Sequence, residues 1–316
     1  MFDVITLGEA LVAFSPTDFG SIKYAQRFSK NVAGAESNVA IGLSKMGHSV
    51  GWVSKLGKDP LGQFVISTIK GEGVDVSQVS YSNNFPTGIY FKDKLGFGET
   101  KVYYYRHGSA ASRLCPEDIN EEYISRARFM HLTGITPALG KSCFDAVNYA
   151  IDMARKNGIA ISFDPNIRLK LWDESTAKEV LLSLIKKVDI CLPGIEEAKF
   201  ITGVDDPEEQ ANILMALGPK TVVIKLGKDG AYFKTAHQSG YVPAYQVDHY
   251  VDNVGAGDGF AVGLLSGLID NEDLAKAVNR GCVIGAYAVT TKGDFEGYPT
   301  RDELEVILGD KPVVTR

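Results

Sequence analysis

The sequence predicts an α/β fold: a doubly wound, mostly parallel sheet flanked by helices, with a small antiparallel β lid. Three observations carry this. Short β-prone runs alternate with helical apolar patterns along most of the chain. Two aromatic, β-prone segments, Tyr24 to Phe28 and Gly88 to Arg106, break the alternation with no helix between their strands. The length of 316 residues suits one large α/β domain with an appendage, or two domains.

The elements follow in order. Val4 to Leu7 is a buried strand. Ser37 to Met46 is a helix with Val39, Ala40, Leu43 and Met46 on its apolar face, stopped by Gly47. Ser49 to Lys55 is a strand. Asp59 to Glu72 is a helix with Pro60 in its first turn. Phe129 to Leu132 is a strand, and Lys141 to Asn157 a helix that presents Ala146, Tyr149, Ala150 and Met153. Ile159 to Asp164, Ile190 to Leu192 and Val222 to Lys225 are strands, with a helix over Glu174 to Lys187. Phe260 to Leu268 and Asp273 to Thr290 are late helices. Gly88 to Arg106 reads as a hairpin turning at Leu95 to Gly98. Residues 1–14, 35–86 and 112–316 are assigned to the α/β domain, and 15–34 and 87–111 to the lid.

Composition narrows the function. Hydrophobic residues make up 45% and charged residues 23%, values that exclude disordered and fibrous classes. The net charge of −6, with no basic tail, argues against general nucleic-acid binding but allows a local pocket for a small anion. Cys115, Cys143, Cys191 and Cys282 are scattered and form no CxxC pair, so they read as buried thiols of a reducing compartment. The N-terminal run has no basic leader pattern, and no stretch reaches 18 apolar residues. A cytoplasmic protein with no membrane partner is expected.

Several motifs fail. Gly134 to Ser142 approximates GxxxxGK[ST] with one residue too many between its glycines. Neither GxGxxG, HExxH nor GxSxG occurs, and the five histidines lack metal-ligand spacing. The segment Asp252-Asn253-Val254-Gly255-Ala256-Gly257-Asp258-Gly259-Phe260 is different. Small residues just before a helix let backbone N–H groups approach an anion, and the helix adds its positive end. Asp258 in that first turn is either a plain helix-start acid above a tight glycine turn, or an acid beside a phosphate site. The second reading suggests phosphoryl transfer to a hydroxyl, with Asp258 as base and the amides neutralising transition-state charge.

That segment resembles the D-T-x-G-A-G-D-x-F signature of the ribokinase-like (PfkB) carbohydrate kinases. Ala33-Gly34-Ala35-Glu36-Ser37-Asn38-Val39-Ala40, followed by Leu43, Gly47 and Gly57-Lys58-Asp59-Pro60-Leu61-Gly62, resembles the N-terminal signature of the same family. The resemblance covers essentially the whole chain. It implies transfer of the ATP γ-phosphate to a sugar hydroxyl, with Mg²⁺. Asp258 would be the base and the amides of Gly255, Ala256 and Gly257 the anion hole. Asn166, Arg168, Lys225, Gly227, Gly230, Gly255 and Gly257 would serve ATP, with Asn279, Cys282 and Val283 flanking the adenine. Glu197 matches the family's metal-associated glutamate, although Gly194 replaces the usual Asn of that motif, and Asn253 replaces the usual Thr of the other. Activation by a monovalent cation, common in the wider family, would involve the loop around Asp252.

The substrate is read from the lid. Strand alternation puts Tyr104 and Arg106 on one face, and a guanidinium among aromatic rings needs an anion. The other reading is an edge Arg packed on tyrosines. Arg168, just past a strand end, is a second cation at the carboxyl edge where ligands bind. The pattern of Gly34, Tyr90, Tyr104, Arg106, Arg168 and Lys292 to Pro299 resembles the 2-keto-3-deoxygluconate kinases. By that resemblance Gly34, Ala35, Glu36, Ser37 and Asn38 would hold substrate hydroxyls. Tyr90, Tyr104 and Arg106 would form the lid side, Asp294 would meet substrate or cleft floor, and the product would be 2-keto-3-deoxy-6-phosphogluconate. Alternatives are a kinase of a neutral sugar such as fructose or ribose, the galacto epimer as acceptor, or a non-catalytic sugar- or nucleotide-binding protein. An exposed β lid also predicts a homo-oligomer.

Overall fold

A computed structural model describes residues 1–18, 21–93, 101–251 and 253–311. In chain order the strands are β1 (Phe2–Leu7), β2 (Leu11–Pro16), β3 (Phe28–Ala33), β4 (Val50–Gly57), β5 (Val79–Ser82), β6 (Ile89–Asp93), β7 (Lys101–Tyr105), β8 (Ala127–Thr133), β9 (Ala160–Asp164), β10 (Ile190–Cys191), β11 (Thr221–Lys225), β12 (Ala231–Lys234) and β13 (Ser239–Val242). The α-helices are α1 (Ala35–Lys45), α2 (Pro60–Gly71), α3 (Glu121–Ile124), α4 (Ile135–Ala138), α5 (Lys141–Lys156), α6 (Glu174–Ile185), α7 (Ile195–Thr202), α8 (Pro207–Leu217), α9 (Ala256–Ile269), α10 (Leu274–Ala288) and α11 (Arg301–Leu308).

The main sheet has the order β13-β12-β11-β10-β9-β8-β1-β4-β5. It is parallel from β11 to β5, and β12 and β13 add an antiparallel edge. The chain winds outward from β1 through β4 to β5, then returns to β8 on the other side and winds through β9, β10 and β11. The reversal falls between β1 and β8, and at such a reversal the loops at the strand ends part to leave a crevice. Strand alternation splits the core into two layers. Val4 and Val223 point toward α1, α2, α9, α10 and α11, while Ile5, Val222 and Ile224 point toward α5, α6, α7 and α8.

Local chemistry sets the helix ends. Asp59 caps α2 by accepting from the Gly62 N–H at 2.7 Å, with Pro60 following it. Gly47, at φ +79°, follows α1 in the left-handed conformation that ends helices. On α5 the buried stripe runs through Cys143, Ala146, Val147, Ala150, Ile151 and Ala154. Tyr149 and Met153, expected on that face, stay half-buried at its rim. Helix α9 starts at Ala256, four residues earlier than its apolar run suggests, and is buried through most of its length between α1 and α10.

A second sheet, β3-β2-β6-β7, stands apart. Its hairpins β2–β3 and β6–β7 are antiparallel and are joined through a parallel pairing of β2 with β6. Two details differ from the sequence expectation. Tyr24 to Phe28 is not a strand: Ile22–Tyr24 forms a single 3-10 turn capped by Ser21, and the strand begins at Phe28. Strand β2, Leu11–Pro16, belongs to this sheet, because Gly8 and Glu9 end β1 and release the chain upward. The expected turn at Leu95 to Gly98 lies outside the described residues.

Candidate active site

A cleft of ≈ 1480 Å³ opens at the carboxyl ends of β1, β8, β9, β10 and β11 and is bounded on its far side by the second sheet. It gathers Gly34, Ala35, Glu36, Asn38, Tyr90, Tyr104, Arg106, Asn166, Arg168, Glu197, Lys225, Gly227, Gly255, Gly257, Asp258 and Asp294. Ser37, Gly230, Ala256, Asn279 and Cys282, named from sequence, are not among its lining residues. Ser37 turns inward and donates to the Gly34 carbonyl at 2.9 Å. Gly230, at φ +101°, is a glycine because a Cβ there would stand 2.0 Å from the Val242 carbonyl oxygen. Cys282 packs in the apolar layer between α9 and α10.

Asp258 is the third residue of α9. Gly255 precedes the helix in the left-handed conformation, φ +82° and ψ −9°, and offers no side-chain cap. The first-turn N–H groups of a helix have no intrahelical acceptor, so those of Gly257 and Asp258 form a nest. The Ala256 N–H differs from expectation by already bending back to the Asn253 carbonyl at 3.4 Å. Gly255 admits no side chain: a Cβ would come within 1.9 Å of the Asp294 carbonyl oxygen. Asn38, from α1, donates to Asp258 Oδ2 at 2.8 Å and fixes the carboxylate plane. Burial in the cleft pushes the Asp258 carboxyl up to about 7. The Asn38 bond and Arg168 oppose that rise, and Asp164 and Asp294 add to it.

The opposite wall carries a second charged group. Lys225 Nζ donates to Asp164 Oδ2 at 2.5 Å. Burial alone would lower the Lys225 pKa, but Asp164 and Glu197 hold the ammonium above its ordinary range. A Cβ on Gly257 would lie 3.6 Å from this ammonium, so Lys225 faces the nest. Glu197 accepts from the Gly194 N–H and the Ile167 N–H, both at 2.7 Å, and closes the N-terminus of α7. Glu197 thus caps α7, and burial followed by Asp164 raises its carboxyl. Asn166 sits at φ +37°, a strained value for a residue with a side chain, and its buried Oδ1 has no partner among the described residues. No cluster of three or more His, Cys, Asp or Glu able to hold a metal occurs among the described residues. The oxygens of Asp164, Asn166 and Glu197 fit Mg²⁺ that arrives with a phosphate chain, because Mg²⁺ takes few protein ligands and keeps its waters. Asp252 lies outside the described residues.

On the lid side Arg106 has an anionic partner within the protein. Its Nε donates to Glu9 Oε2 at 2.7 Å, its terminal NH2 group pairs with the same oxygen, and both side chains are buried. Ser109 Oγ donates to the other Glu9 oxygen at 2.5 Å. The guanidinium therefore finds its first anion inside the protein, and its plane is set 5.4 Å from the Tyr104 ring centroid. Glu36 is fully buried, and its Oε1 accepts from Thr133 and Thr136 at 2.7 Å each. Burial raises its carboxyl despite both bonds. Sequence reasoning missed Glu9, Lys92 and Asp164. Asp164 and Lys92 had usable signals: the end of a β-strand for the first, the same strand face as Tyr90 for the second. Glu9 had none.

The cleft pairs an acid at a glycine-built helix start with a cation-lined pocket beneath a β lid. The chain is 43% identical over 314 residues to a 2-dehydro-3-deoxygluconokinase of Bacillus subtilis, covering 99% of this chain and 97% of that one. The crystal structure of a Thermotoga maritima 2-dehydro-3-deoxygluconokinase superposes with a TM-score of 0.89 at 29% identity, covering 98% of this chain and all of that one. A putative ribokinase II from E. coli, in complex with ATP and Mg²⁺, superposes at 0.90 with 26% identity over 98% of this chain and 100% of that one. No helix among the described residues is long and apolar enough to cross a membrane. The profile of the pfkB family carbohydrate kinases matches residues 1–301, and the chain belongs to that family.

Proposed function

We propose that this kinase transfers the γ-phosphate of ATP to the terminal hydroxyl of 2-keto-3-deoxygluconate, with Asp258 as general base. The observation that carries the reading is Asp258 itself: a carboxylate oriented by Asn38, at the foot of an amide nest, facing a pocket closed by Tyr90, Tyr104 and Arg106. The acceptor oxygen attacks the γ-phosphorus as the bond to the β-phosphate oxygen breaks. The hydroxyl proton passes to Asp258, and ADP leaves. The Gly257 and Asp258 N–H groups and Lys225 meet the developing charge on the transferred group. Mg²⁺, when bound, neutralises phosphate charge, and Asp164, Asn166 and Glu197 would hold it through its waters. The nucleotide lies along Lys225, Gly227 and Arg168, its adenine reaching past the inner end of the cleft toward Asn279 and Cys282 on α10. Gly34, Ala35, Glu36, Asn38 and Asp294 meet the acceptor's hydroxyls. Its carboxylate lies toward Arg106, whose orientation Glu9 fixes, and Arg168 supplies a second cation. A monovalent cation would bind at the loop that carries Asp252. Four free cysteines suit a cytoplasmic setting.

Turnover of ATP against 2-keto-3-deoxygluconate, its galacto epimer, fructose and ribose tests this. The sugar acids are expected to be phosphorylated with a kcat/KM at least about 10²-fold above the neutral sugars, since a site built for polar partners rejects analogues that lack them. Equal use of fructose would overturn the acceptor assignment. Because Asp258 must lose its proton to act and its carboxyl is pushed up to about 7, kcat should rise with pH through that value. A flat profile there would argue against Asp258 as base.

A second copy of the chain is the proposed partner of the lid. Phe91 packs between Phe14 at 5.3 Å and Phe28 at 5.6 Å, with Tyr105 on its edge at 5.8 Å, and Tyr105 is 65% exposed. Light scattering should give an oligomer for the native chain and a lighter species for Tyr105→Glu.

A further inference from the structure

Two hydrogen bonds from the second sheet end on one short segment near the C-terminus. From β3, Asn31 Nδ2 donates to Glu296 Oε1 at 2.7 Å. From β6, Lys92 Nζ donates to Asp294 Oδ1 at 3.1 Å, with both side chains buried. Lys92 follows Tyr90 by two residues and so lies on the same, cleft-facing side of its strand. A buried ammonium requires a fixed acceptor, so this contact holds the lid in a definite place.

The same segment reaches the catalytic loop. Tyr298 donates its hydroxyl to the Gly255 carbonyl at 2.7 Å, and the Asp294 carbonyl fills the space where a Gly255 side chain would stand. The Asn38 side chain donates to Asp258, and Asp294 adds its own negative charge to the surroundings of that carboxyl. The Asn38 Oδ1 has no partner among the described residues, so the amide acts here through its donors. Contacts thus run from Lys92 on the lid through Asp294, whose backbone packs on Gly255, to the start of α9 and Asp258.

We propose that Lys92 is a positioning residue for phosphoryl transfer: by binding Asp294 from the lid, it makes seating of the second sheet a condition for the working arrangement of the Gly255 turn and Asp258. The inference rests on the reading of Asp258 as the base. Asp258 faces Asn38 from α1, Asp164 and Arg168 from the end of β9 and its following loop, Lys225 from β11, and Asp294 and Tyr298 from the C-terminal segment. Lys92 is the lid's contribution to this balance. With Lys92 removed, Asp294 faces Asp258 without the lid cation beside it. Two such carboxylates resist joint ionisation, and the pair holds a proton to higher pH.

Lys92→Met, Lys92→Gln and Lys92→Arg in the full chain, assayed for kcat and both KM values across pH, test this. Lys92→Met is expected to lower kcat by about 10²-fold through misplacement of the base, with KM for ATP unchanged. The acid limb of kcat is expected to move up by about one pH unit. Lys92→Arg should restore most of the rate and the native limb. If Lys92→Met fails to fold, Lys92→Gln, which keeps a donor but no charge, is read by the same limb shift. A variant that raises only KM for the sugar acid, with kcat and its acid limb as in the native chain, overturns the inference and leaves Lys92 a lid fastener. Asp258→Asn separates the two ideas. If it retains turnover, the base assignment fails whatever Lys92 does. If it is inactive while Lys92→Met is normal, only the coupling fails.

Discussion

Asp258→Asn is expected to lower kcat by about 10³- to 10⁴-fold, the upper part of the range for removing a positioned base, with KM for ATP within about twofold. The substitution keeps the shape of the side chain and a contact for Asn38, so the loss reports the missing proton acceptor. Its effect on stability runs the other way. The Asp258 carboxyl is held above its unfolded value, so between about 4 and 7 the native chain binds more protons than the unfolded chain. Stability therefore falls as pH rises through that window, and above it the native state carries an ionised carboxylate among Asp164 and Asp294. A neutral amide in place of the carboxylate removes that burden. At pH 8 the variant should melt higher than the native chain while turning over far more slowly, a pairing that a merely structural Asp258 would not produce. Thermal melts and initial rates on one preparation decide it.

Arg106→Ala is expected to damage both fold and selectivity. Glu9 is buried, and the guanidinium is its partner through two nitrogens. Breaking such a pair from one side leaves an uncompensated charge and costs about 3–5 kcal/mol. Turnover of the sugar acid should collapse, while that of any neutral sugar the enzyme accepts should scarcely change. The double variant Glu9→Gln, Arg106→Ala separates the roles. It should recover much of the stability, because the orphaned charge is gone, and none of the sugar-acid activity. Recovery of both would assign Arg106 to structure alone. Denaturant melts with the four-acceptor assay supply both readouts.

Much of this arrangement was legible in the sequence. Local signals dictate the strands and helices of the main sheet, since alternation, caps such as Asp59-Pro60 and stops such as Gly47 act within a few residues. The two glycine segments were legible because backbone approach to an anion tolerates little else. What sequence could not carry was pairing across distance. Glu9 and Arg106 lie 97 residues apart, Asn38 and Asp258 220, and Lys92 and Asp294 202. No local pattern marks such partners. Strand β2 was missed because Gly8 and Glu9 look like the end of a strand, and the passage of the chain into another sheet has no compositional trace. Ala256 was expected to give its N–H to the anion hole, but the turn that places Gly255 uses that N–H to bond back to Asn253.

One junction ties the second sheet to the main body. Strand β3 of the second sheet ends at Ala33 and helix α1 of the main body begins at Ala35, so Gly34 alone joins them. It sits at φ +144°, where a Cβ would lie 2.4 Å from the Glu9 carbonyl oxygen. It is one of the places where the chain passes between the two sheets, and it also lines the cleft. If the proposed acceptor lies against Gly34, filling the pocket bears on the same short backbone link that joins cover to body.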